Sequence, residues 1–267
     1  MGEPQPVLTP LTSAAIFLVL TIGEGGEPAV RDVLSDLPAL QRTVGFRALD
    51  GGLACVAGIG SQAWDRLFDG PRPAELHPFR ELVGPRHHAV STRGDLLLHL
   101  RARRMDLCFE LAGLIMDRLA GSVSVADETH GFGYFDERDL MGFVDGTENP
   151  TGEGARVAVT SDDPVFGGGS YIIVQKYLHD LTRWNALTVE DQEKVIGRTK
   201  LANVEMPDAV KPSDSHVALT SLDDGREIMR FNMPFGDFGK GEFGTYFIGY
   251  SDSPSVTELM LDRMFLG

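Results

Sequence analysis

The order in which strand-like and helix-like stretches follow one another in the first half most constrains what this chain can fold into. Residues 14–22 are a continuous apolar run suited to a buried strand, and residues 28–40 carry Val30, Val33, Leu34, Leu37 and Leu40 at helical spacing. Two short strands, 46–49 and 53–59, are predicted around Asp50-Gly51-Gly52, a turn sequence that supplies the positive φ of a tight hairpin. A short helix over 61–68 and a strand over 95–100 follow. A long helix over 105–119 then shows Leu107, Leu111, Leu114, Ile115 and Leu119 on one face. The series approximates β-α-β-β-α-β.

The second half repeats this grammar less clearly. Strands are predicted over 170–177, 216–219, 227–235 and 245–250, a helix opens at Thr188-Val189-Glu190-Asp191 and runs to about Gly197, and a terminal helix covers 256–265. The expected architecture is α+β, with two ferredoxin-like halves packed together. Residues 1–128 form the first half, a Gly-rich, polar connection covers 129–154, and residues 155–267 form the second. With 267 residues, 42% of them apolar, the chain can build cores of ordinary domain size.

Charge narrows the partners. Against 39 Asp plus Glu stand 24 Lys plus Arg, a formal charge of -15 that repels phosphate backbones and anionic lipid, so neither nucleic acid nor membrane is expected as a partner. The apolar run near the start is too short to cross a bilayer and lacks a basic flank, which makes a cytoplasmic protein the expectation. Cys55 and Cys108 sit in apolar stretches and read as core packing rather than a disulfide framework.

Three segments hold candidate chemistry. Gly142-Phe143-Val144-Asp145-Gly146-Thr147-Glu148-Asn149-Pro150 puts two carboxylates in a loop with little helix or strand propensity, and an Asp-Gly turn closed by an Asn-Pro stop explains the same residues. Period-two alternation over Ile228-Met229-Arg230-Phe231-Asn232-Met233-Pro234-Phe235 places Arg230 and Asn232 on one strand face, where an arginine also serves as a structural ion-pair partner. His216, in Pro212-Ser213-Asp214-Ser215-His216-Val217-Ala218-Leu219, is a lone histidine, which by itself is more often a core or surface residue than a ligand. The other six histidines lack the paired spacings of zinc sites.

Taken together these segments resemble the dye-decolorizing peroxidase family, in particular its B-type subgroup. The first matches the family's Gly-x-x-Asp-Gly signature, the Arg-x-Asn strand with its Met-Pro-Phe-Gly continuation matches the distal strand, and Ser-His-Val-Ala-Leu looks like the proximal histidine segment. Gly58-Ile59-Gly60 with Trp64-Asp65-Arg66-Leu67-Phe68 resembles a further family segment in the first half.

The resemblance implies one haem b per chain, bound mainly by the C-terminal half, with His216 as the axial ligand to iron. It implies Asp145 as the proton shuttle, Arg230 as the cation that stabilises developing negative charge and Asn232 as the group that orients peroxide. Gly146 and Thr147 would allow close approach to the macrocycle. Hydrogen peroxide would be reduced through a ferryl intermediate while bulky dyes or phenolic, lignin-like compounds are oxidised. Arg198 and Lys200 are candidate propionate partners, Asp214 a candidate hydrogen-bond partner for His216, and Trp184, Tyr171, Tyr177, Tyr246 and Tyr250 either electron routes or core. A homo-oligomer is expected, and an encapsulin shell is unsupported, since the sequence carries no C-terminal extension of the kind that targets some relatives to one. Two other readings stand beside this one. A haem carrier or iron-release protein would use the same ligands without turnover, and a nicotinamide oxidoreductase would use Gly58-Ile59-Gly60-Ser61-Gln62-Ala63 as its dinucleotide loop.

Overall fold

A computed structural model describes residues 5–267 and divides them into two compact units, the first holding the chain up to Pro78 together with Thr92–Gly133, the second Phe79–Ser91 with Tyr134–Gly267. In the first unit, β1 (Ala14–Ile22) leads into α1 (Glu27–Gly45), β2 (Ala54–Ile59) and α2 (Ser61–Leu67). The chain then contributes a hairpin, β3 (Leu82–Val83) and β4 (His88–Ala89), to the second unit before returning as β5 (Leu96–Ala102), α3 (Met105–Arg118) and β6 (Val123–Phe132). The sheet order is β2-β5-β1-β6 with every pairing antiparallel, which is the ferredoxin-like arrangement.

Register explains why this order is stable. Ile16, Leu18 and Leu20 of β1 stand opposite Leu100, Leu98 and Leu96 of β5, so all six share one face. That face is buried against Val30, Val33, Leu37, Leu40 and Val44 of α1 and Leu107, Cys108, Leu111 and Ile115 of α3. Burial pushes the thiols of Cys55 and Cys108 up to about 12, so both are inert packing groups.

Several local expectations are corrected. Residues 46–49 are not a strand: α1 runs on to Gly45, and the turn after it leaves Phe46 and Leu49 exposed with no strand beside them. β6 occupies the start of the stretch expected to be irregular, and as an edge strand with mostly exposed positions it lacks the apolar alternation that reveals buried strands. The dinucleotide reading fails on topology, since β2 pairs antiparallel with β5 and α2 has only 7 residues. Gly60 is there for a different reason: a Cβ would run into the carbonyl oxygen of Gly94.

The second unit contains α4 (Gly152–Val159), β7 (Tyr171–Leu178), α5 (Leu181–Asn185), α6 (Val189–Ile196), α7 (His216–Thr220), β8 (Met229–Arg230), β9 (Met233–Asp237), β10 (Glu242–Ser251) and α8 (Pro254–Leu266). Its sheet runs β7-β10-β8, with β9 also on β10. With β8 and β9 counted as one interrupted strand, the first, third and second strands lie side by side as β1, β5 and β2 do in the first unit. Among the described residues, β7 pairs with β10 alone. Ile228, Val256 and Met260 pack with Leu222 and Phe247 under α8. No helix among the described residues is long and apolar enough to cross a membrane.

The Arg66 segment contributes a buried ionic junction. Asp95, fully buried, accepts the Ile22 N–H at 2.8 Å and pairs with Arg66 and Arg93 at 3.3 Å, while Arg66 also grips Glu27 at 2.6 Å. This cluster ties the end of β1 to the starts of α1 and β5 and to α2. Replacing Asp95 by Ala leaves the buried Ile22 N–H without its acceptor and takes one partner from Arg66, which keeps Glu27, and from the exposed Arg93, and is expected to cost about 1–3 kcal/mol, read by denaturant unfolding; no measurable loss would show the junction to be dispensable.

Candidate functional site

All the residues singled out for chemistry fall in the second unit, and hydrogen bonds join the distal set. β8 and β9 keep one register against β10, with Arg230 opposite Gly249 and Met233 opposite Tyr246. Between them the ladder opens at Phe231 and Asn232, so the single strand expected over 227–235 is interrupted. Phe231 N–H still donates to Ile248 O at 3.2 Å. Asn232 instead uses its side chain: Oδ1 accepts the Ile248 N–H at 3.1 Å, which turns Nδ2 toward Asp145 Oδ1 at 3.2 Å.

The Gly142–Pro150 loop delivers Asp145 to that amide. Arg138 and Val144 form an isolated bridge, and the Asp145 N–H donates to Glu137 O at 2.9 Å. Asp145 Oδ1 also accepts the Gly146 N–H at 2.7 Å, where Gly146 has φ +74°, a conformation that glycine adopts without strain. Both hydrogen bonds therefore fall on Oδ1. Among the described residues Oδ2 has no partner.

Asn149, read from sequence as a stop, is the residue that holds loop and strand together. Its Nδ2 donates to Arg230 O at 2.8 Å, and its Oδ1 accepts from Arg230 N at 3.0 Å and from Arg230 Nε at 3.4 Å. The two Nη groups of Arg230 stay without hydrogen bond or ion pair among the described residues, so the guanidinium keeps its charged end available.

His216 corrects a sequence expectation. The segment expected as a strand is α7, whose first residue is His216, because Ser215 caps the helix by accepting the Ala218 N–H at 3.4 Å. Four apolar-rich residues carry too little periodicity to separate strand from helix. The imidazole is exposed, yet enough protein surrounds it that burial is the main cause lowering its pKa, with the charge of Arg230 adding to the shift and that of Asp145 opposing it. Both side chains therefore lie close enough to act on the ring. Burial and the Arg230 charge both disfavour protonation of the ring, and neither nitrogen bonds to Asp214 or to any other described residue.

The remaining sequence candidates have structural partners. Arg198 pairs with Glu148 and grips Asn203, and Lys200 Nζ donates to Gln192 at 2.6 Å. Thr147 is exposed and its hydroxyl accepts from Asn203 Nδ2 at 2.9 Å. Tyr246 and Tyr250 are core residues, and Tyr177 stacks edge-on against Phe247. Trp184 donates its indole N–H to Met141 O at 3.0 Å and meets Phe143 edge-on, bracing the loop that carries Asp145.

Chemically, the donor set is one neutral imidazole, one carboxylate oxygen and one guanidinium end. No group of three or more His, Cys, Asp or Glu among the described residues could hold a bare metal ion. A single imidazole suits a metal whose remaining ligands come from a macrocycle, and the arrangement fits haem.

Comparison with known proteins agrees with this arrangement. The family model described as Dyp-type peroxidase, N-terminal, matches residues 4–133, and that for the C-terminal part matches 136–267. A dye-decolorizing peroxidase of Rhodococcus erythropolis is 65% identical over 99% of this chain and 79% of its own length. The encapsulated DyP-type peroxidase of Mycobacterium smegmatis, known from a cryo-EM structure, is 61% identical with a TM-score of 0.96, covering 98% of this chain and 87% of that one. A variant of DypB from Rhodococcus jostii RHA1 in complex with heme is 55% identical with a TM-score of 0.97, covering 99% and 88%.

Asp139, a buried residue missed by the sequence reading, anchors the loop: its Oδ1 accepts the Phe143 N–H at 3.0 Å while burial, aided by the charge of Asp145, raises its pKa to about 6. The folded protein thus prefers the protonated form, by ~3 kcal/mol relative to a carboxyl at 3.8. This contribution is present below pH 3.8 and is lost as pH rises through about 6. Asp139→Asn keeps the acceptor and removes the titration. Denaturant unfolding should find the variant more stable at pH 7 by roughly 1–3 kcal/mol, with the gap shrinking toward pH 4; a gap independent of pH would contradict this.

Proposed function

This chain belongs to the Dyp-type peroxidase family, and from that premise we propose a haem peroxidase in which His216 holds the cofactor while Asp145, Arg230 and Asn232 manage the oxidant. The observation that carries this reading is the exposed imidazole of His216 at the start of α7, in the same unit as a carboxylate, an amide and a guanidinium that hydrogen bonds hold together. When bound, haem would supply the redox-active iron at which hydrogen peroxide is reduced.

The protein's own groups then divide the work. His216 offers an unprotonated ring nitrogen as ligand, and its lowered pKa keeps protons from competing for it. Asp145, held through Oδ1 by Asn232 and Gly146, has Oδ2 to accept a proton from one peroxide oxygen and return it to the other. The Nη groups of Arg230 stabilise negative charge as the O–O bond breaks, from a backbone position that Asn149 fixes. Asn232, oriented by its bond to the Ile248 N–H, keeps Asp145 aimed and offers an N–H to the oxidant. In this reading Gly146 and Thr147 shape the loop beside the cofactor. The reducing substrates are bulky dyes or phenolic compounds, and the protein self-associates. The encapsulated relative makes a protein shell a partner worth testing, which the sequence alone offered no reason to expect.

His216→Ala should abolish the Soret band of protein reconstituted with haem. With haem bound, stopped-flow mixing with peroxide should find the spectral change slowed roughly a hundredfold or more in Arg230→Ala and in Asp145→Ala. Unaltered rates in both variants would remove the proton-transfer and charge roles, and no haem uptake by the natural sequence would remove the whole reading.

A further inference from the structure

The segment between α6 and α7 touches both walls of the site through different residues. It folds back on itself at Gly197, whose carbonyl accepts the Met206 N–H at 2.9 Å; Thr199 N–H donates to Val204 O at 2.8 Å, and Arg198 and Glu205 form an isolated bridge. At its base, Gly197 has φ +91° and lies so close to α7 that a Cβ would stand 2.8 Å from Ser215 Oγ and 3.2 Å from Val217 Cβ. Those residues flank His216 in the chain.

The other contacts of the same segment reach the Asp145 loop. Asn203 adopts φ +54°, a left-handed conformation that asparagine tolerates better than most residues. From there its Nδ2 donates to Thr147 Oγ1 at 2.9 Å, and its Oδ1 and backbone O accept from Arg198 Nε and Nη2 at 3.0 and 2.9 Å. Arg198 extends Nη1 to Glu148; the guanidinium side chain is only 11% exposed while the carboxylate end is half exposed, so the buried arginine fixes the geometry of the pair more than its charge attraction does. Arg138, beside Asp139, donates to Lys200 O at 2.7 Å and to Leu201 O at 3.3 Å. Thr147 and Glu148 are the second and third residues after Asp145.

We propose that the hairpin from Gly197 to Met206 is the spacer that sets how far the His216 helix stands from the Asp145 loop, with Asn203 and Arg198 as its positioning residues. This rests on the haem reading above. Neither residue touches the reacting atoms. They act by holding Thr147 and Glu148 to a segment whose base abuts α7, so that a change in the loop's seating alters the room between imidazole and carboxylate.

Asn203→Gly is the discriminating variant, because glycine keeps the left-handed backbone without strain and deletes only the amide bridge. Reconstituted with haem, it should bind the cofactor and melt within a few degrees of the natural protein. Its ferric spectrum should show an altered high-spin to low-spin balance, and the pH profile of its peroxide reaction should shift, with a rate loss of roughly tenfold to a hundredfold. Arg198→Lys, which keeps the charge but not the fork, should fall between the natural protein and Arg198→Ala. If both Asn203→Gly and Arg198→Ala bind haem with unchanged spin state, pH profile and rate, the spacer is refuted while the haem reading stands. If the natural protein takes up no haem, the underlying reading fails and the spacer with it.

Discussion

One side-chain amide carries the geometry of the site. Arg230 occupies a strand position opposite Gly249, and its own N–H and C=O point away from β10, toward what would otherwise be an open edge. Asn149 answers both groups with its carboxamide, behaving as one residue of a missing strand. Because Asn149 sits 4 residues after Asp145 in one loop, this two-way bond fastens the acid to the strand that bears the cation and the amide. Without it, β8 would carry two unsatisfied backbone groups and the loop would lose its tie to the sheet.

The same economy recurs in the electrostatics. Each polar group in the site is anchored through atoms that the chemistry does not need: Asp145 through Oδ1, Arg230 through its backbone and Nε, Asn232 through Oδ1. Asp145 Oδ2 and the two Nη groups of Arg230 stay uncommitted among the described residues, and Asn232 Nδ2 gives one N–H to Asp145 and keeps the other. Partial satisfaction of this kind is costly in a closed core and is found where a ligand or reactant completes the set. The neutral imidazole belongs to the same pattern, since burial and a nearby guanidinium both discourage its protonation.

Much of this was legible in the residues and some was not. Long elements with strong periodicity, β1, α1 and α3, are readable because each buries a full face. Elements whose identity rests on a cap or on a partner are harder: α7 looks like a strand until Ser215 is seen capping it, and β6 is too exposed to show alternation. Asp145, Arg230, Asn232 and His216 stand out through motif resemblance. Asn149 was in plain view but has a sufficient explanation as a turn residue, and Asp139 carries no sequence mark of its burial. Asn203 depends on a left-handed backbone, and nothing in Leu201-Ala202-Asn203-Val204 announces one.

The second sheet leaves one boundary of a different kind. β7 is paired on one side only among the described residues, and Ile172, Ile173 and Val174 lie on that rim with Lys176 as the strand's single charge. A strand with a ladder on one side only is where chains in general need a guard against pairing with another edge, and a charged side chain is one such guard. The excess of 15 negative charges common to all copies supplies the wider repulsion. Dissolved ions screen that repulsion over about 8 Å at physiological strength, so its reach shortens as salt rises.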